Sequence, residues 1–237
     1  MNALLPSLLF VSVLAGAATA GRHAAPPGPC VPAFDPVGCA AVVDNPYFPL
    51  RPGTIRIYEA RSGKSIAVDT VTVTYETKAI LGVNAVVVRD RAYRDSVLVE
   101  DTRDWYAQDR KGNVWYLGED TKEYRNGKVT STAGSWEAGR DSACAGIIMP
   151  AIPELGLEYR QEYRAGVAED MARVVHLDTK AMALNQTFTA CLETEEWSPL
   201  EPRVREVKVY APGLGLVLER TLAGGDERMI LVKLIVP

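Results

Sequence analysis

EDTRDWYAQDRKGNVWYLGEDTKEY, residues 100–124, decides the fold. Two runs rich in aromatic and β-branched residues, DWYAQ and VWYLG, flank Asp109-Arg110-Lys111-Gly112-Asn113. Gly and Asn at such a point accept positive φ cheaply, so the segment reads as an antiparallel hairpin. The same punctuation recurs outward from it: Asn126-Gly127 joins KEYR to KVTS, and Gly224-Gly225-Asp226 joins LERTLA to ERMILV. Candidate strands follow at 54–60, 66–76, 83–91, 95–108, 113–118, 121–125, 128–132, 157–163, 171–178, 187–197, 204–211, 214–221 and 227–235. So many short strands exceed what an open sheet carries, and the sheet must curl, close or split. No stretch sustains an apolar stripe at i, i+3, i+4 and i+7; the best helical candidate is a turn or two within AGVAEDM (165–171), and GIIMPAIPE (146–154) is broken by two prolines. The expected fold class is mainly β: a curled antiparallel sheet, half-barrel or barrel-like, with little helix.

The ends of the chain set the compartment. MNALLPSLLFVSVLAGAATA (1–20) is apolar from Leu4 to Leu14 and turns small at Ala18 and Ala20, the pattern of a signal peptide cleaved before Gly21. Residues 21–43 carry Pro26, Pro27, Pro29, Pro32 and Pro36 and read as an extended arm, because proline cannot donate to a ladder. Residues 44–237 are expected to form a single antiparallel β domain, entered through DNPYFPLRPGT (44–54), whose Tyr47, Phe48 and Leu50 plug one end of the core. No later apolar run reaches membrane-spanning length, so the mature chain is expected to have no stable membrane insertion. A secreted or periplasmic location follows. It gives meaning to Cys30, Cys39, Cys144 and Cys191, which are expected in disulfides. Of the three possible connectivities, Cys30 with Cys39 and Cys144 with Cys191 is the favoured one, since CVPAFDPVGC is a loop whose ends can meet. The absence of a Cys-x-x-Cys pair and the presence of two histidines alone argue against a thiolate metal site. A formal net charge of −4 offers no field for phosphate backbones, and nucleic acid is not an expected partner.

Catalytic chemistry has few candidates. His23 lies in the arm and His176 within ARVVHLD, where a lone strand histidine is ordinarily structural, so a nucleophilic triad is hard to assemble. Along EDTRDWYAQD, period 2 places Glu100, Thr102, Asp104, Tyr106 and Gln108 on one face and Val99, Asp101, Arg103, Trp105 and Ala107 on the other. With Glu119, Asp120 and Glu123 across the hairpin, the first face is either a polar lining able to bind a cation or do acid/base work, or a solvated surface laced to Arg89, Arg91 and Arg103. Trp105, Tyr106, Trp115 and Tyr116 are explained by cross-strand packing, or else line a groove for an apolar ligand. The candidate ligand-binding residues are therefore Glu100, Asp104, Tyr106, Trp115 and Glu119. No catalytic residue, metal site or cofactor is assigned.

The stretches DNPYFPLRPGT (44–54), VTYETKAILGV (73–83), EDTRDWYAQDRKGNVWYLGEDTKEY (100–124), SWEAG (135–139), GIIMPA (146–151), YRQEYRAGVAEDMA (159–172) and YAPGLGLVLE (210–219) resemble a family of uncharacterised secreted bacterial proteins. That resemblance implies export and no particular activity. The closing YAPGLGLV is similar to the end of lipoprotein-carrier-type half-barrels, which implies a concave sheet able to shelter an acyl chain; this chain departs from them in lacking a long helix to cap the concavity. Three readings stand: a non-enzymatic binder of a small or lipid-like ligand or envelope component, a carboxylate-dependent cation binder or enzyme using Glu100, Asp104 and Tyr106, and a structural or adhesive envelope protein.

Overall fold

The computed structural model describes residues 30–63 and 65–237; the expected signal peptide, His23 and the first part of the arm lie outside them. Fifteen strands form: β1 (Ile55–Ser62), β2 (Ser65–Ile80), β3 (Val83–Arg94), β4 (Val97–Gln108), β5 (Val114–Arg125), β6 (Lys128–Ser131), β7 (Trp136–Glu137), β8 (Cys144–Met149), β9 (Glu158–Arg160), β10 (Glu162–Tyr163), β11 (Met171–Ala183), β12 (Gln186–Trp197), β13 (Arg205–Ala211), β14 (Gly215–Ala223) and β15 (Arg228–Ile235). Among the described residues no helix forms, and Ala165 to Val167 make a tight turn ahead of β11. A segment that short cannot offset the cost of nucleating a helix when the neighbouring strands already fix its ends.

All pairings are antiparallel, in the order β10-β8-β5-β4-β3-β2-β1-β15-β14-β13-β12-β11-β9, with β6 and β7 also lying on β5. The terminal strands of this order, β9 and β10, are consecutive in sequence and separated by Gln161 alone. The sheet therefore curls until its two edges meet along one continuous piece of chain, without a hydrogen-bonded rung between them. At the meeting point Gly146 on β8 lies so close to the Gln161 backbone that a Cβ would collide with it. The hairpins turn where expected: Asn126 and Gly127 both take positive φ, and Asp109 Oδ1 accepts from the backbone N–H of Lys111 (2.8 Å) and Asn113 (3.0 Å).

Some boundaries differ from the sequence expectation. The runs 113–118 and 121–125 are one strand, bent at Gly118 (φ +132°), where the Trp136 carbonyl leaves no room for a side chain. The run 157–163 is split into β9 and β10 because Gln161 N–H donates to the Asp170 carbonyl (2.8 Å) instead of to a neighbouring strand. Strands β7 and β8 were not anticipated; β8 is apolar on both sides, so it lacks the alternation by which half-buried strands are read.

The core fills the inside of the curl. Tyr106, Tyr116, Met149, Leu192, Val217 and Leu231 are fully enclosed, and Tyr106 stacks on Tyr116 with centroids 5.0 Å apart. One end is closed by the entry loop: Val43 and Leu50 are buried, and Phe48 packs edge-on against Tyr106 at 5.3 Å. Asn45 fastens that loop, donating through Nδ2 to the carbonyls of Gly112 (2.9 Å) and Pro150 (3.2 Å).

The disulfide is Cys30–Cys144, which corrects the expected pairing. The arm does not fold back on itself: it runs along the hairpin, with Phe34 against the Trp115 ring (5.1 Å) and Ala40 bridging Gln108, so Cys30 and Cys39 end up apart. Cys191 sits on β12, four strands from β8 even by the shorter way around. At about 4.8 Å per strand that exceeds the roughly 7 Å limit for a bridge. Cys39, half-buried, and Cys191, buried, are free thiols. By chain entropy, closing a loop of this length contributes about 5 kcal/mol.

Candidate functional site

Every strand of the hairpin region contributes a carboxyl to the inside of the curl. Asp69 on β2, Asp90 on β3, Asp104 on β4, Glu119 on β5 and Glu162 on β10 are all buried. Each occupies an inward position of its strand, for instance Ala67-x-Asp69-x-Val71-x-Val73 on β2, so period 2 alone directs the acid into the interior. Register brings them near one another: Asp90 lies opposite Thr102, and Asp104 opposite Glu119. Their partners are mostly neutral. Tyr116 donates to Asp104 Oδ1 (2.9 Å), Trp136 Nε1 to Glu162 Oε2 (2.9 Å), and Thr102 shares a hydrogen bond with Thr121 (2.6 Å).

Desolvation governs the protonation of this layer. Burial pushes Asp90, Asp104, Glu119 and Glu162 well above the ordinary carboxylate range, and their mutual repulsion adds to it. Asp69 rises to about 7, chiefly from burial, with the neighbouring Asp90 and the Thr70 backbone tempering the rise.

Across the interior a second polar group is built around one cation. Lys208 on β13 is buried, with Glu196 Oε2 at 2.8 Å and Glu219 Oε2 at 4.0 Å. Burial opposes its charge, but Glu196, Glu219 and Glu206 outweigh that and hold the ammonium above its ordinary value. Thr194 (2.8 Å) and Tyr210 (3.2 Å) donate to Glu196 Oε1, completing its shell. The small cavity beside Lys208 holds no more than about one water molecule.

Of the five residues singled out from sequence, Asp104, Tyr106 and Glu119 lie together in the sealed interior; Glu100, half-buried, accepts from Thr102 Oγ1 (3.1 Å) at the outer end of the same row. Trp115 is on the opposite face, donating from Nε1 to Asp109 Oδ2 (2.9 Å) beneath Phe34. The acid face thus points inward, away from the arginines; Arg89 instead pairs with Asp101 on the outer face at 2.6 Å. Among the described residues no group of three or more His, Cys, Asp or Glu is arranged to hold a metal ion. His176 is exposed on β11, 3.7 Å from Glu193.

A larger, accessible cavity lies elsewhere, at the seam. Above the Gly146–Gln161 contact the edges of β8 and β9 part, leaving a groove of about 790 Å³. Its walls are apolar: Val31, Pro32, Ile147, Ile152, Leu157 and Met171. Ile152 is 75% exposed although it lines a concave surface. The polar side chains at the groove are Lys111, Asn113, Glu158 and Arg160, and the ring of Tyr159 forms part of the wall. None of Glu100, Asp104, Tyr106, Trp115 or Glu119 lines it. The sequence signal at the groove is GIIMPAIPELG (146–156), in which Pro150 and Pro153 stop the strand β8 at Met149 and leave the following Ile152 without a sheet to cover it.

No family model matches the chain, and no curated protein matches it. A protein of Bacteroides fragilis described as a candidate exported protein with a YmcC-like fold superposes with a TM-score of 0.48 at 14% identity, covering 80% of this chain and 99% of its own. A candidate lipoprotein of Parabacteroides distasonis superposes with a TM-score of 0.42 at 12% identity, covering 80% of this chain and 98% of its own. These are distant likenesses of outline, and no residue role passes from either protein to this one.

Proposed function

We propose that the protein is exported and works as a non-enzymatic binder of a small apolar or lipid-like molecule, held in the seam groove between β8 and β9. The observation that carries this reading is the groove itself: about 790 Å³, within the range that takes a drug-sized ligand, with predominantly aliphatic walls. Export is supported by the signal-like residues 1–20 and by the Cys30–Cys144 bridge, a bond that persists in oxidising compartments. The ligand does not enter the concavity of the sheet on this reading, because tyrosines, aliphatics and protonated acids already fill it. Fluorescence titration with N-phenyl-1-naphthylamine, a neutral apolar probe, tests the proposal. Saturable one-to-one binding is expected in the native chain and its loss in Ile152→Glu, a substitution at an exposed position that leaves the core alone. Binding that is non-saturable, or indifferent to Ile152→Glu, would overturn it.

A further inference from the structure

Resting on that reading, we infer that the groove selects single-chain amphiphiles with an anionic head, the acyl chain lying against Ile147, Leu157 and Met171 and the head meeting Arg160 and Lys111. Arg160 sits at the end of β9, where the seam closes, with its guanidinium 4.6 Å from the Tyr163 ring. Arg160 lines the groove and no carboxylate pairs with it among the described residues, so a carboxylate or phosphate head would answer its charge with charge-assisted bonds. Lys111, at the tip of the β4–β5 hairpin, lines the same groove and makes no ion pair among the described residues. Glu158, the acid at the groove, offsets one of these two cations and leaves the other, since Arg173 opposite it on β11 is already paired with Glu195 at 2.8 Å. Asn113 is likewise engaged, donating to Asp109 (2.8 Å) and accepting from the Ala151 N–H (2.9 Å). The unanswered charge at the groove is therefore positive, and it lies beside aliphatic walls, the complement of an anionic amphiphile.

Competition of dodecanoate, dodecyl phosphate and dodecanol against N-phenyl-1-naphthylamine tests this, all at low ionic strength and below their aggregation thresholds. An anion should displace the probe about tenfold better than the alcohol, as one charge-assisted contact allows. Arg160→Gln should erase that preference while leaving dodecanol unchanged, and Lys111→Gln should reduce it. Which anion gains more distinguishes a fatty-acid head from a phosphate head. Equal displacement by anions and alcohol, or a preference that survives the Arg160→Gln, Lys111→Gln double variant, would overturn the head-group inference and leave apolar binding intact. If dodecanol and the probe also fail to bind the native chain, the groove reading itself falls. Unchanged thermal unfolding of the variants shows that the effect is local.

Discussion

Inside the curled sheet, Asp69 and Asp104 have no exposed surface, whereas at the seam Ile152 keeps most of its side chain in water. The two regions reverse the usual division of polarity, for related reasons. The interior is closed by pairing: strands β1 to β5 and β11 to β15 run as long hairpins, and whatever alternation puts inward becomes buried, acids included. The seam is where pairing stops. The prolines at 150 and 153 end β8, β9 is three residues long, and the aliphatics of the intervening chain have no layer above them. Burial of an acid is tolerated where a proton neutralises it; exposure of an aliphatic is tolerated where a ligand can cover it.

That contrast can be broken from either side. The largest effect is expected from the tie between the regions, since Cys30–Cys144 anchors the arm beside the groove at the first residue of β8. Replacing both cysteines by alanine should lower unfolding stability by about 5 kcal/mol, read from urea denaturation with and without reductant. Next comes Gly146→Ala, whose Cβ would meet the Gln161 backbone and force the seam open; a loss of about 2 to 3 kcal/mol is expected in the same assay, together with altered probe binding.

The interior has its own test, in pH. Burial lifts Asp69 and half-buried Asp170 and Glu227 to about 7. A carboxyl raised above its unfolded value near 4 binds more protons folded than unfolded, so its contribution is complete below about pH 4 and is lost as pH rises through about 7. Unfolding free energy should therefore fall as pH rises from 5 through about 7, by roughly 2 to 3 kcal/mol for Asp69 alone, and Asp69→Asn should flatten that slope. A stability that climbs over this range would mean that the acid layer is ionised and paired. The smallest effect is expected at the groove: Ile152→Glu should change stability by less than about 0.5 kcal/mol while abolishing probe binding, since its side chain is exposed.

Much of the architecture could be read in advance, and the reason is local. Asp109 to Asn113 and Asn126-Gly127 carry turn chemistry in adjacent residues, so the hairpins around β4 and β5 are visible without any knowledge of partners. The inward row Thr102, Asp104 and Tyr106 was equally legible as one face, because alternation is a property of a single strand. Which way that face points was not. Its acids suit an inner polar lining as well as a surface facing water or arginine, and the choice is made by sheet closure, which puts Arg89 and Asp101 outside and Asp104 within. The groove is not legible as a site, because the prolines at 150 and 153 mark only where one strand stops, whereas its other walls, Leu157 and Arg160, come from a separate segment.

Taken alone, then, the amino-acid order determined the class of the protein: antiparallel strands, their turns and the faces they present, all of which depend on residues a few positions apart. Tertiary structure decided the rest. The pairing of Cys30 with Cys144 across 114 residues, the enclosure of the carboxyls and the parting of β8 from β9 depend on where distant strands come to lie when the sheet curls, a geometry set by the sum of all its pairings and by none of them singly.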